Sequence, residues 1–162
     1  MKDTLSPVFR KLQGCLIGNL LDAMNMTCDI ARDAAKSDHE YKDRTGGVTA
    51  ATREIPAIYK DGKITGGVEN TSEVGLYLHE GTGLYGPKKA PYEIKAKNGK
   101  ALHFEIAGSV QSNESGKGVF AKRVMHPGIK PDPFISRAVH KTKAAFRRNM
   151  AGAVKKTIRQ AS

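Results

Sequence analysis

Tryptophan is absent, and the five tyrosines and five phenylalanines do not form the spaced stacking set on which single-strand nucleic-acid binders hold bases. Cysteine is scarce. Cys15 and Cys28 both fall in the first expected helix, and thirteen positions at 1.5 Å each separate them by about 20 Å along its axis. That is too far for an intrachain disulfide, and no histidine stands at metal-ligand spacing from either, so both read as free thiols in a reducing compartment. No run of eighteen apolar residues exists to cross a bilayer. Met1-Lys2-Asp3-Thr4-Leu5 lacks the apolar stretch of a signal peptide, so export is not expected. Acidic side chains are the minority, 16 against 27 lysines and arginines, for a net charge of +11 and a pI near 9.7. That balance favours anionic partners, whether nucleic acid, an acidic protein surface or an anionic membrane face, and charge alone does not choose among them.

What is present is one domain's worth of chain, 162 residues with 39% hydrophobic and 27% charged, enough for a single core. Ser6-Pro7 opens a helix with a hydroxyl N-cap and proline at the first helical position. Val8, Phe9, Leu12, Leu16, Leu20, Met24 and Ile30 then keep near-helical spacing, continued by Ala31, Ala34 and Ala35 to about Lys36. The pattern fits one long helix or two joined near Asn25. Asp43 to Gly47 is a loop by composition.

Two hairpins are expected next. Ile55 to Tyr59 and Lys63 to Val68 flank Lys60-Asp61-Gly62; Tyr92 to Ala96 and Lys100 to Ile106 flank Lys97-Asn98-Gly99. A polar residue before Asp-Gly or Asn-Gly fits a three-residue loop with glycine in the left-handed region. That register pairs Ile58 with Ile64, Tyr92 with Phe104 and Ile94 with Leu102, and keeps apolar residues on one face. Between the hairpins, Glu73 to Glu80 reads as a short helix or turn. Val119 to Met125 is a further strand candidate, and Gln111 to Lys117 a polar loop. Asp132 as cap and Pro133 at the first position open a last helix. Its apolar stripe is Ile135, Ala138, Val139, Thr142, Ala145, Phe146, Met150, Ala153, Val154 and Ile158. The rest of that helix is basic: Arg137, Lys141, Lys143, Arg147, Arg148, Lys155, Lys156 and Arg159. These side chains could face solvent, DNA phosphates or an acidic partner.

The chemistry-bearing motifs fail on context. Gly81, Gly83 and Gly86 match G-x-G-x-x-G, but Pro87-Lys88-Lys89-Ala90-Pro91 follows where a dinucleotide site needs a helix N-terminus. His79-Glu80 lacks the second histidine of a zincin, since Gly83 stands there. The other histidines are scattered, and no serine sits in a G-x-S-x-G elbow. No catalytic, cofactor or metal residue is assigned, and the expectation is a protein that is not an enzyme.

Three segments together resemble a known family. The stretch Leu76-Tyr77-Leu78-His79-Glu80-Gly81-Thr82-Gly83-Leu84-Tyr85-Gly86 looks like a signature in which a tyrosine-containing turn runs into Gly-Thr-Gly. His126-Pro127-Gly128, leading through Asp132 to Pro133-Phe134, is similar to a second signature at the start of the last helix. Arg44-Thr45-Gly46 resembles the Thr-Gly that closes the first helical region. The family is the tail-completion or neck proteins of long-tailed double-stranded DNA phages. The resemblance spans nearly the whole chain and marks Thr45, Gly46, Tyr77, Gly81, Thr82, Gly83, His126, Pro127, Gly128, Pro133 and Phe134 as its motif positions.

Membership would imply a structural virion protein of the head–tail junction, present in the host cytoplasm during assembly. Its partners would be itself, in a ring-like homo-oligomer, and other neck, head-completion, tail-terminator or tail-tube proteins. Packaged DNA would be a non-specific candidate, and no membrane partner or cofactor is implied. The competing expectation is a basic nucleic-acid-binding protein. The expected fold is α+β, a mainly antiparallel sheet of about four strands packed by a long N-terminal helix and a basic C-terminal helix.

Overall fold

The computed structural model describes residues 5–97, 99–104 and 119–161. The capping side chain of Ser6, the turn residue Asn98, the end of the strand expected to reach Ile106 and the loop expected over 111–117 lie outside the described residues. The fold is α+β, as the sequence predicts, and every strand pairing among the described residues is antiparallel. Among the described residues the strands form three two-stranded ladders rather than one sheet of four. The chain divides into two compact units, Met1–His79 with Asp132–Ser162, and Glu80–Pro131. Among the described residues no helix is long and apolar enough to cross a membrane.

In the first unit, α1 (Leu5–Ser37) is one unbroken helix, about 50 Å long at 1.5 Å per residue. Pro7 sits in its first turn, where an N–H would have no intrahelical partner. A short helix α2 (Gly47–Ala51), which the sequence reading missed, leads into β1 (Thr52–Lys60), and β2 (Lys63–Asn70) returns beside it. Their turn differs from the three-residue loop expected. Lys60 pairs with Lys63 across Asp61-Gly62, and both central residues have positive φ (51° and 76°). This is the two-residue type I′ geometry, whose twist matches that of the strands. Ile58 therefore pairs with Thr65 and Tyr59 with Ile64. Replacing Gly62 with valine should destabilise the protein by about 1–2 kcal/mol, the cost of a Cβ in the left-handed region, whereas Asp61→Asn should be nearly neutral; equal urea midpoints for the two variants would count against this turn.

The register shifts between Ile55 and Ile58, where Pro56-Ala57 bulges opposite Gly66. Proline has no N–H to lose from the ladder there. The Ala57 N–H is satisfied from elsewhere, donating to Asn25 Oδ1 of α1 at 2.7 Å. A Cβ on Gly66 would lie 3.0 Å from Cys28 Sγ and 3.3 Å from Ala57 Cα. Glycine thus lets β2 approach α1.

The helix α3 (Glu73–Glu80) begins at Ser72, whose Oγ accepts the Gly75 N–H at 2.9 Å, the N-cap interaction. The C-terminal helix is two helices, α4 (Phe134–Lys141) and α5 (Lys143–Ala161), interrupted at Thr142. The buried Thr142 hydroxyl donates to Val139 O at 2.9 Å, competing for the carbonyl that Lys143 N–H would use in an unbroken helix. Asp132 does not cap α4. Pro133 holds the N-cap position without a side-chain cap, and the Asp132 carboxylate is engaged elsewhere.

Of the apolar stripe expected on the last helix, the small members Ala138, Thr142, Ala145 and Ala153 are buried, and the large members Val139, Phe146, Val154 and Ile158 are not. Thr157 is buried as well, and Phe146 is 41% exposed. The helices α1 and α5 meet through small and polar side chains. Asn19 Nδ2 donates to Thr157 Oγ1 at 2.8 Å and to Gln160 Oε1 at 2.9 Å, and Asn149 Nδ2 donates to Thr27 Oγ1 at 3.0 Å. These bonds fix an antiparallel register, and alanines at 23, 145 and 153 allow close approach. The core proper gathers Ala35, Val48, Phe134 and Ala138, flanked by Tyr41, Val68, Leu78 and Ile135.

In the second unit, β3 (Tyr92–Lys95) pairs with β6 (Arg123–His126), and β4 (Leu102–Phe104) pairs with β5 (Val119–Ala121). The hairpin expected between the Tyr92 and Leu102 segments does not form. Tyr92 lies opposite His126, Ile94 opposite Val124, and Leu102 opposite Ala121. The strand expected over Val119 to Met125 is split at Lys122, so each half serves a different ladder.

Candidate functional site

The motif positions gather in two places. In the first unit, Gly46 is left-handed (φ 72°), and Thr45 Oγ1 accepts the Gly47 N–H at 3.3 Å. The Asp43 carboxylate accepts both the N–H and the hydroxyl of Thr49 at 2.8 Å, which holds that carboxyl below its ordinary range. This turn launches α2 and delivers Val48 to the buried cluster around Phe134. Phe134 is 0% exposed. Tyr41 and His79 meet its ring edge-on, with centroids at 5.2 and 5.9 Å. Thr45-Gly46 and Pro133-Phe134 thus serve one core. Tyr77 stands apart, exposed on α3, its hydroxyl donating to Glu73 Oε1 at 2.5 Å.

In the second unit, Gly81-Thr82-Gly83 and His126-Pro127-Gly128 interlock. Thr82 N–H donates to Ile129 O (2.9 Å), Leu84 N–H to Pro127 O (2.7 Å), and Ile129 N–H to Thr82 Oγ1 (3.0 Å). Gly128 N–H donates to His126 Nδ1 at 3.0 Å. The backbones touch. A Cβ on Gly83 would lie 2.3 Å from Pro127 O, and one on Gly128, 1.9 Å from Thr82 O. The Gly81-x-Gly83-x-x-Gly86 segment follows α3 and forms a 3₁₀ turn over Gly83–Tyr85. That is not the strand-to-helix setting of a phosphate loop.

The basic surface expected on the last helices is smaller than the sequence suggests. Arg137 pairs with Asp132 and reaches Glu40 at 3.3 Å and Asp38 at 3.7 Å, and Lys141 pairs with Asp38. The Asp132 carboxylate, in a buried residue, also accepts the Glu40 N–H at 2.6 Å. Arg137 and Lys141 therefore fasten α4 to the segment after α1, and this latch gave no local sequence signal. Lys143, Arg147, Arg148, Lys155, Lys156 and Arg159 are all exposed and make no ion pair among the described residues.

A groove of about 290 Å³ runs beside α1, walled by Met24, Cys28, Ala31, Gly66, Val139 and Phe146 among others. Burial, then the carboxylates of Asp29 and Glu54, push the Cys28 thiol up. It is held protonated at neutral pH, the weaker nucleophilic form. The ring of His79 has its Nδ1 buried without a hydrogen-bond partner, and its Nε2 lies 3.5 Å from Ser136 Oγ. Among the described residues no group of three or more His, Cys, Asp or Glu is placed to hold a metal ion.

The latch leaves a titration signature. The buried Tyr41 hydroxyl makes no hydrogen bond, and desolvation, then Asp43 and Asp132, raise it to about 12. Because the folded value lies above the ordinary 10, the linked stability is present below pH 10 and is lost as pH rises from there towards 12. Ultraviolet titration should show a late phenolate step that Tyr41→Phe removes, distinct from that of Tyr77, which its bond to Glu73 also raises; if Tyr41→Phe removes an ordinary early step instead, Tyr41 stands in solvent.

No protein-family model matches this chain, and neither a curated protein nor a solved structure does.

Proposed function

We propose that this protein is a structural subunit of a phage head–tail junction, a neck or tail-completion protein that works by self-association and protein contacts. The observation that carries the reading is the imbalance between core and surface. The buried hydrophobic residues are Ala23, Cys28, Ala31, Ala35, Val48, Phe134, Ala138, Ala145 and Ala153, so among the described residues only Val48 and Phe134 are larger than cysteine. Meanwhile Val8, Phe9, Met26, Ile30, Ile55, Ile58, Phe146 and Val154 stand exposed in the same unit. Single exposed apolar residues are ordinary, but runs of them along helices and a strand mark surfaces that other proteins cover. The resemblance of the Gly-Thr-Gly and His-Pro-Gly segments to the tail-completion family supports the virion setting. Those segments satisfy one another through backbone bonds and present no nucleophile–base pair, which fits a scaffold rather than an enzyme.

Sedimentation of the purified chain should show a closed oligomer that forms with rising concentration. Particles made without the protein should accumulate as unjoined heads and tails. A strictly monomeric protein, or normal particles in its absence, would refute the reading.

The second reading, non-specific binding of DNA phosphates, is favoured by the six unpaired cations of α5. It requires affinity that falls steeply with salt, with a slope proportional to the number of phosphates contacted.

A further inference from the structure

Charge is distributed unevenly along the first unit. Residues 1–79 carry ten basic and eleven acidic side chains, whereas residues 132–162 carry eight basic and one acidic. The single acid there, Asp132, is consumed by Arg137. On α5, Phe146, Met150 and Val154 form an i, i+4 row, accompanied by Lys143 and Arg147, which fall in the same sector at 100° per residue. Phe146 and Val154 are exposed. On α1, Asp22, Met26, Asp29, Ile30 and Asp33 form another row, at i, i+4, i+7, i+8 and i+11. Met26 and Ile30 are exposed, and the Asp29 and Asp33 side chains are 50% and 66% exposed. One row is apolar and basic, the other apolar and acidic.

The rows lie on opposite sides of the α1–α5 pair. Phe146 lines the groove together with Met24, Cys28 and Ala31. Met26 and Ile30 stand two residues before and after Cys28, about 200° around α1 from that wall. Complementary rows on opposite sides cannot meet within one copy, but they can meet between successive copies. A two-fold contact through α5 would instead set unpaired cations against the same cations.

We infer that copies of this chain associate head to tail, the basic row of α5 (Lys143, Phe146, Arg147, Val154) docking on the acidic row of α1 (Asp22, Met26, Asp29, Ile30, Asp33) of the next copy. This inference rests on the self-association proposed above and names its faces. Such heterologous contacts close into rings when the rotation per subunit permits. Arg32 stays with Asp29, Asp33 and Glu54 at 2.8 Å in each case. Three carboxylates share that one guanidinium, and even with Lys36, whose charge also acts on Asp33 and Glu54, the cluster keeps one net negative charge for the incoming cations.

The test is a charge swap. Variant A carries Lys143→Glu and Arg147→Glu; variant B carries Asp22→Lys and Asp33→Lys. Each alone should assemble at least about tenfold more weakly than the natural sequence, because like charges face across every contact. Mixed in equal amounts, they should assemble again as an alternating oligomer, since reversed α5 meets reversed α1 at one contact and the natural faces meet at the other. Recovery in the mixture would also show that both variants fold.

If the natural sequence assembles while folded A and B assemble as well as it does, or fail to rescue one another, the assignment of faces is wrong and self-association stands. If the natural sequence never leaves the monomer, the parent reading falls with it. Should a reversed variant lose its helical signal, the milder Arg147→Gln and Asp33→Asn decide. Each should weaken assembly measurably and reduce its salt dependence, and unchanged assembly in both overturns the inference.

Discussion

Substituting alanine for Gly128 should strip order from the second unit while leaving the first folded. Gly128 has φ +105°, where an L residue is strained by about 1–3 kcal/mol. The added methyl would also lie 1.9 Å from Thr82 O and 2.7 Å from Gly83 Cα, both main-chain atoms that cannot rotate away. Among the described residues of this unit only Gly81 and Gly86 are buried. Among the described residues of this unit no fully buried apolar side chain holds the two motif segments together once the backbone contact opens. Hydrogen exchange gives the readout. The Thr82 and Leu84 amides, bonded across the interlock, should lose protection by a factor of about 30 or more, the equivalent of about 2 kcal/mol. The amides of α1 should not change. Gly14→Ala is the opposite control. Nothing lies within 4 Å of its Cβ, and alanine in a helix interior should stabilise by about 0.5–1 kcal/mol. Unaltered protection at Thr82 and Leu84 in Gly128→Ala would mean that the interlock does not exist.

The same glycines show what the sequence could reveal. That Gly-Thr-Gly and His-Pro-Gly form tight turns follows from φ preferences. That they grip each other does not, because Pro127 lies 45 positions after Thr82 and two of the three bonds across the interlock run between main chains. The long helical stretches at either end and the α+β class were legible from periodicity; α2 and the break at Thr142 were not. Strand partners were not. Asp61-Gly62 marks a turn, but the register depends on the bulge at Pro56-Ala57, whose spare N–H is satisfied by Asn25, 32 residues earlier. Local apolar alternation carries no trace of that helix. Likewise Tyr92 and Leu102 flank an Asn-Gly pair yet take partners from 119–126, a choice made by long-range packing.

On α5 the expected stripe is too wide, and only its small-residue side is buried. Ala145-Asn149-Ala153-Thr157 and Phe146-Met150-Val154 are both i, i+4 rows, one residue and hence 100° apart. Hydropathy favours the second. Close contact with α1 requires the small side chains of the first, and Asn149 and Thr157 find hydrogen-bond partners in Thr27 and Asn19. The row left outside became the apolar half of the candidate interface. The acidic row of α1 had a readable spacing, but its meaning depends on knowing which faces of α1 are already covered.

Phe134→Ala should cost about 3–5 kcal/mol, and Phe146→Ala less than about 1 kcal/mol, the reverse of what hydropathy along the last helix suggests. Phe134 is the largest fully buried side chain among the described residues. Its ring is enclosed by Tyr41 and His79 edge-on, by Ala35 and Ala138 from two helices, and by Val48 of α2. Elements that cannot move independently surround the space, since Arg137 and Asp132 tie α4 to Glu40 and Asp38. A cavity left there would collapse only in part, which puts the loss in the upper range for a large-to-small change. Phe134→Leu, which keeps most of the volume, should cost less than about 1.5 kcal/mol. Urea unfolding followed by circular dichroism would order the variants Phe134→Ala, Phe134→Leu, Phe146→Ala from least to most stable. Phe146→Ala should instead weaken self-association, because its ring is 41% exposed on the row assigned to the neighbouring copy. A Phe146→Ala protein that unfolds at lower urea than Phe134→Ala would show that α5 turns its large apolar row inward after all, and would remove both the core described around Phe134 and the interface drawn from it.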